Sequence, residues 1–345
     1  MPKNINKSGA NNMVFNEKTF EAVNHIEKLR DCRVAVTGST GLIGKSVIEF
    51  LLRLSERNNL NIKVLAIART KNKAALTSFY NDVEWYYCDF NSSYDIDGKV
   101  DYIIHAASPT DSAYFISNPV ETINLPIIGL NNLTAFAGQK KVKSMVFLSS
   151  MEVYGICLED KFLSETDYYP LDCTKIRNSY AEGKKILENL CVAYSAEYGI
   201  PVKIARLCQT FGPGVSKEDN RVFSQFAKAI LQRKDIILST KGETKRSYCS
   251  LNDAVTGILT VLLNGENMNA YNIASDNSYC SIYELAEKFI LGTNLAIKIE
   301  NKSESKYLPT VKFGLDTTKI KQIGFKSIDT IDSIVNEFLD YYLHN

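Results

Sequence analysis

The stretch "RVAVTGSTGLIGKSVIEFLLRL", residues 33–54, decides the fold. Its first part, "RVAVTG" (33–38), is a short apolar run of the kind that forms a buried strand. Its second part, "GLIGKSVIEFLLRL" (41–54), reads as a helix. Between and within them Gly38, Gly41 and Gly44 form a G-x-x-G-x-x-G pattern. Glycine permits the tight turn and lets backbone approach a pyrophosphate, which then rests at the helix N-terminus. A glycine trio alone is weak evidence. Its position at a strand-to-helix junction makes it a dinucleotide loop.

The pattern repeats outward from that junction. "KVLAIAR" (63–69), "EWYYC" (84–88), "DYIIHAA" (101–107), "SMVFLSS" (144–150) and "VKIARL" (202–207) read as further strands, with helices near 119–137 and 179–198. Short apolar strands alternating with helices predict an α/β fold with a Rossmann-type, doubly wound parallel sheet. Beyond about 208 the pattern loosens into a smaller mixed α/β lobe, with "GPG" at 212–214 and helices near 221–233, 281–291 and 328–343. The expected organisation is an N-terminal extension (1–30), a dinucleotide-binding domain (31–207) and a mainly substrate-binding lobe (208–345). In the extension, residues 1–14 are polar and expected to be loose. Phe20, Val23, Ile26 and Leu29 predict a short amphipathic helix packed on the main domain.

Composition narrows the function. The 345 residues carry a formal net charge of +1, so no basic excess advertises nucleic acid or an anionic membrane. No apolar run approaches the length of a membrane span, and "MPKNINKSGANNMVF" lacks the apolar core of a signal peptide. Eight cysteines are scattered without a C-x-x-C pair, and three histidines lie far apart, which argues against structural zinc. The expected setting is a reducing cytoplasm.

Chemistry-bearing residues cluster where strands of such a sheet end. The second strand closes with Arg69 where an NAD enzyme normally offers an acid to the ribose 2′-hydroxyl. A guanidinium there pairs with a 2′-phosphate, so NADP is expected ahead of NAD. Asp89, closing the third strand, is placed to receive the adenine amino group. Downstream, "RNSYAEGKK" puts Tyr180 and Lys184 four apart on a helix, stacking phenol and ammonium on one face. A free tyrosine titrates too high for a base at neutral pH, and a nearby cation favours the phenolate. With Ser150 at the end of "SMVFLSS", they form a constellation that takes a proton from an alcohol while hydride leaves for nicotinamide.

On these motifs the chain resembles the extended short-chain dehydrogenase/reductases, the nucleotide-sugar epimerase, dehydratase and decarboxylase family. The resemblance runs from about Arg33 to at least Asp253. Within the family, "HAASP" (105–109), "SSMEVYG" (149–155), "RLCQTFGPG" (206–214), "NRVFSQF" (220–226) and "KRSYCSLNDA" (245–254) are most similar to UDP-glucuronate decarboxylases. The resemblance implies cofactor contacts at Gly38, Thr40, Gly41, Leu42, Ile43, Gly44, Arg69, Asp89, Phe90, Ala106, Ala107, Tyr180 and Lys184. It implies catalytic roles for Ser150, Tyr180 and Lys184, with Glu152 a candidate base at sugar C5. Substrate contacts would fall on Ser108, Ser150, Arg177, Gln209, Arg221 and Arg246, the arginines meeting an anionic substrate. A homodimer paired through two helices per subunit is also implied.

Family members share oxidation of the C4 hydroxyl to a ketone. A 4-epimerase then needs no further acid, a dehydratase needs a donor for the departing C6 hydroxyl, and a decarboxylase needs a C6 carboxylate. Glu152 argues against plain epimerisation, and Met151, standing where many dehydratases carry Asp, cannot donate a proton. Two departures stand out: Gln209 replaces a family Asn, and Pro126 falls at or near another. The expectation is a decarboxylase- or dehydratase-like enzyme on a nucleoside-diphosphate sugar, with 4-epimerisation the alternative. A dinucleotide-binding regulator without turnover would have lost the tyrosine or the lysine, and both are present.

Overall fold

The computed structural model describes residues 15–89, 91–300 and 310–344. Seven strands form one parallel sheet in the spatial order Ala270–Ile273, Val202–Leu207, Ser144–Ser150, Tyr102–His105, Arg33–Thr37, Lys63–Ala68, Glu84–Tyr87. The strand order reverses direction between Arg33–Thr37 and Tyr102–His105. Their neighbouring carboxyl ends open the crevice where sheets of this type take ligands. Val34, Ala35, Val36, Ile103, Ile104, Val146 and Ala205 are fully buried, as strands covered on both faces require.

Helices cover the two faces. The glycine-loop helix, Leu42–Asn58, starts at Gly41 and buries Val47, Ile48, Phe50, Leu51 and Leu54. On the opposite side Pro119–Lys140 packs against the tyrosine–lysine helix, Ser179–Tyr198. Pro126 is buried within the first of these, which runs on through it to Lys140. Its ring supplies no N–H to the carbonyl of Thr122, so the helix carries one missing rung.

Three features differ from the expected plan. The helix foreseen through Phe20 and Leu29 is broken in two, Glu17–Glu21 and a 3₁₀ turn at Ile26–Leu29. His25 between them takes a left-handed backbone, with φ of 60°. Val23 and Leu29 are nevertheless buried, and Phe20 stacks on Phe50 at 5.0 Å, so the segment does pack on the main domain. Second, the large sheet does not end at residue 207. A buried helix, Leu251–Asn264, returns to it and strand Ala270–Ile273 extends its edge. Third, Lys161–Leu163 leaves the first half of the chain to join a four-stranded sheet with Cys280–Ser281, Lys245–Arg246 and Lys312–Leu315. The smaller lobe is thus stitched from both sides of 207.

Its core is aromatic. Phe338 on the terminal helix, Ile331–His344, meets Phe211, Phe223, Phe289 and Tyr342 edge-on, with centroids 5.3–6.2 Å apart. Phe211 lies just beyond the two-residue strand Gln209–Thr210, which pairs in parallel with Tyr248–Cys249. That core therefore sets the backbone carrying Gln209 and flanks Arg246. Among the described residues no helix is long and apolar enough to cross a membrane, and no cluster of His, Cys, Asp or Glu could hold a metal. The expectation for residues 1–14 lies outside the described residues.

Candidate active site

The glycine loop is built by close backbone approach. Gly38 has φ of +67°, and a Cβ there would stand 2.7 Å from the backbone of Ala106 and Ala107. A Cβ on Gly44 would come within 2.2 Å of the Gly38 carbonyl. Gly41 caps the helix without a side-chain hydrogen bond, leaving first-turn N–H groups for an anion. Thr37 Oγ1 lies 2.7 Å from His105 Nδ1 and accepts from the Ala107 N–H at 3.3 Å, joining the two strand ends. Burial, with Lys184 adding to it, holds His105 down to about 3, so its ring is neutral.

Two clefts meet at this loop. The larger, about 590 Å³, is lined by Gly38, Thr40, Gly41, Arg69, Asp89, Ala106 and Ala107. The second, about 320 Å³, is lined by Leu42, Ile43, Gly44, Ser108, Ser150, Glu152, Arg177, Tyr180, Lys184, Gln209, Arg221 and Arg246. Gly41, Ala106, Ser108 and Thr110 belong to both walls. A dinucleotide fits this shape: an uncapped helix end at the middle, a roomy arm toward Arg69 and Asp89, and a second arm toward Tyr180. Every candidate residue named from the sequence lines one of the two clefts, apart from Phe90, which lies outside the described residues. Asp89 also makes a turn: its Oδ1 accepts from Asn91 N and Ser92 Oγ at 2.9 and 3.0 Å.

In the second cleft the strand Ser144–Ser150 delivers Ser150, the turn Met151–Tyr154 after it delivers Glu152, and the helix Ser179–Tyr198 delivers Tyr180 and Lys184. Ser150 caps the turn Met151–Tyr154, accepting from the Glu152 N–H at 3.3 Å. Lys184 donates to the Leu148 carbonyl at 2.7 Å, and burial pushes its ammonium down to about 8 against the opposing charge of Glu188. Its Nζ stands 5.8 Å from the centre of the Tyr180 ring. Burial raises the Tyr180 phenol, and Glu152 adds to this; a hydrogen bond with Ser150 and the charge of Arg177 oppose it.

Pairing sorts the three arginines. Arg177 grips Glu152 with both terminal nitrogens, at 3.2 and 3.4 Å, and lies over Phe115. Arg221 is bound to Asp219 through Nε and Nη2 at 2.9 and 2.7 Å. Arg246, half-buried, has no carboxylate partner among the described residues. Phe115 is a further cleft residue that sequence patterning does not reveal: its ring stacks on Tyr180 at 4.3 Å and 10°. In sequence it is one apolar residue in a short helix, with no spacing that ties it to Tyr180.

The fold and this paired cleft define a class: dinucleotide-dependent enzymes with a serine–tyrosine–lysine centre beside a glycine-loop cofactor arm. The chain belongs to the NAD dependent epimerase/dehydratase family, whose model matches residues 34–274. It is 30% identical over 273 residues to UDP-glucuronic acid decarboxylase 6 of Arabidopsis thaliana, covering 78% of this chain and 77% of that protein. It is 27% identical over 316 residues to UDP-glucuronic acid decarboxylase 1 of Xenopus tropicalis, covering 90% and 72%. The fold matches a dTDP-glucose 4,6-dehydratase from Streptomyces venezuelae solved with NAD, at a TM-score of 0.77, 22% identity and coverage of 91% and 97%. It likewise matches a UDP-glucose 4-epimerase from Thermotoga maritima, at 0.75, 19%, 90% and 98%.

Proposed function

We propose that this chain oxidises the sugar of a nucleoside diphosphate sugar at C4 with bound NAD(P), that the 4-keto sugar then loses carbon dioxide from C6 and gains a proton at C5, and that the stored hydride returns to C4. The observation that carries the reading is the convergence of Ser150, Glu152, Tyr180 and Lys184 on one cleft that shares its wall with the glycine loop. The decarboxylases among its relatives support UDP-glucuronate as the substrate.

Each residue then has a task. Ser150 hydrogen-bonds the C4 hydroxyl and Tyr180 takes its proton, assisted by the charge of Lys184. Bound nicotinamide supplies the hydride acceptor and, in its oxidised form, a positive charge that favours the phenolate. A ketone at C4 makes the uronate a β-keto acid, which releases carbon dioxide without a proton donor at C6. Met151, buried beside the cleft and unable to donate a proton, is compatible with that step and poorly suited to expelling a C6 hydroxyl. Glu152 handles the proton at C5, steadied by Arg177. Arg246 takes the substrate's carboxylate or diphosphate. Arg69 and Lys73 line the cofactor arm and no acid closes that strand, which favours NADP over NAD.

We further propose a homodimer through Pro119–Lys140 and Ser179–Tyr198, which leave Val120, Ile128, Ile186 and Tyr198 exposed. The catalytic reading is tested by Tyr180→Phe with UDP-glucuronate: turnover should fall by roughly 10³-fold with cofactor affinity retained. A variant as active as the parent chain would refute it.

A further inference from the structure

Beneath the cleft lies a buried polar network that the chemistry above does not use. Glu188 sits on the tyrosine–lysine helix, one turn beyond Lys184 and two beyond Tyr180, and is buried. Its carboxylate accepts from Ser149 Oγ at 2.5 Å and from Arg206 Nε and Nη2 at 3.0 and 2.7 Å. Arg206 also donates through Nη1 to Tyr154 Oη at 3.0 Å and to the Glu165 carbonyl at 2.9 Å. Tyr154 passes the chain on to Asn272 Oδ1 at 2.6 Å. One carboxylate thus links the helix of Tyr180 and Lys184, the strand end of Ser150 and the neighbouring strand Val202–Leu207.

A buried ion pair is an expensive way to gain stability, because both charges lose their water. What a fully satisfied network supplies is one defined geometry. Ser149 directly precedes Ser150, so its bond to Glu188 fixes the backbone that carries the Ser150 hydroxyl. We propose that Glu188 is a positioning residue, holding the Ser150 strand end and the Tyr180–Lys184 helix at a fixed separation with Arg206 as its anchor. This rests on the catalytic roles proposed for Ser150, Tyr180 and Lys184.

Charge follows the same connection. Lys184 is flanked by Tyr180, Glu188 and Cys191 on its own helix and by neutral His105 on Tyr102–His105; the elements packed against that helix carry Arg206 on Val202–Leu207 and Glu152 and Tyr154 on the Met151–Tyr154 turn. Glu188 is the largest influence keeping the Lys184 proton in place against burial. Without it the ammonium loses its proton at lower pH.

The test compares Glu188→Gln, Ser149→Ala, Ser149→Thr and Tyr180→Phe with the parent chain. NAD⁺ and NADP⁺ are titrated calorimetrically from about pH 6 to about pH 10, and UDP-glucuronate turnover is followed alongside, with circular dichroism as the check on folding. Glu188→Gln should move the alkaline fall in cofactor affinity down by about one pH unit, a readout that needs no sugar. Ser149→Ala should leave that limb and KM in place and lower kcat by about 10-fold, with Ser149→Thr restoring it. A parental limb in Glu188→Gln, or a parental kcat in Ser149→Ala, overturns the proposal while leaving the catalytic reading intact if Tyr180→Phe is inactive. If Glu188→Gln does not fold, the Ser149 pair decides. An active Tyr180→Phe removes the catalytic reading and this proposal with it.

Discussion

Arg69 is exposed at the end of its strand and lines the cofactor arm together with Lys73. If it pairs with a 2′-phosphate, Arg69→Asp should weaken NADP⁺ and strengthen NAD⁺, changing the ratio of their dissociation constants by at least about 10-fold. Calorimetry on the two cofactors reads this directly, and an unchanged ratio would mean that the guanidinium is only a solvated surface group. At this scale the sequence is informative where chemistry dictates spacing. Tyr180 and Lys184 declare themselves by their four-residue separation, and Gly38, Gly41 and Gly44 by the turn they permit. Glu188 shares the helical spacing of Tyr180 and Lys184, yet an acid on a helix ordinarily reads as a solvated face. Only its buried contacts with Ser149 and Arg206 separate the two readings. Phe115 carries no local signal, since its partner is 65 positions away and the pairing exists only in space.

Among the elements, short apolar strands were readable from their runs and amphipathic helices from their periodicity, whereas a helix buried all round was not. The large-sheet strands from Arg33 to Leu207 and the helix bearing Tyr180 fall where apolar runs and periodicity put them, whereas Lys161–Leu163 does not. Helix Leu251–Asn264 is buried along nearly its whole length, Asn252, Asp253, Thr256 and Thr260 included, so its polar residues do not mark a solvent face as they do on a surface helix. Its first turn also holds an acidic group that ties it to the segment leading into the terminal helix: Asp253 accepts from Ile328 N at 2.7 Å and from Ser327 Oγ at 3.0 Å. Close by on the terminal helix, burial pushes Glu337 up to about 7, with the charges of Asp329 and Asp253 adding to it. A carboxyl raised in the folded state binds a proton that the unfolded chain releases near pH 4.5. Its contribution to stability is therefore full below that pH and is lost as pH rises through about 7. Glu337→Gln should raise the melting temperature near pH 8 and change it little near pH 4, which paired thermal melts can check. Equal shifts at both pH values would mean that Glu337 does not titrate in this range.

For the molecule as a whole, the chain crosses between lobes more than once, and a single division at 207 does not capture this. The cleft is lined from both sides: a strand end of the large sheet, the turn after it and a helix on its face bring Ser150, Glu152, Tyr180 and Lys184, and the segments beyond 207 bring Gln209, Arg221 and Arg246. Such long-range returns leave no local trace in sequence, because they are set by packing between segments far apart. Assembly belongs to the same scale. Sedimentation should show a dimer, and Ile186→Glu, placing a charge on the exposed face of the tyrosine–lysine helix, should shift it toward monomer. A monomeric parent chain would remove the dimer. The central claim is that a C4 oxidation in this cleft leads to loss of the C6 carboxylate, and the mass of the product tests it most directly. Incubated with UDP-glucuronate and NAD⁺ or NADP⁺, the protein should yield a nucleotide sugar lighter by one carbon dioxide, with no net consumption of cofactor. A product lighter by one water, one of unchanged mass, or an untouched substrate would contradict that account.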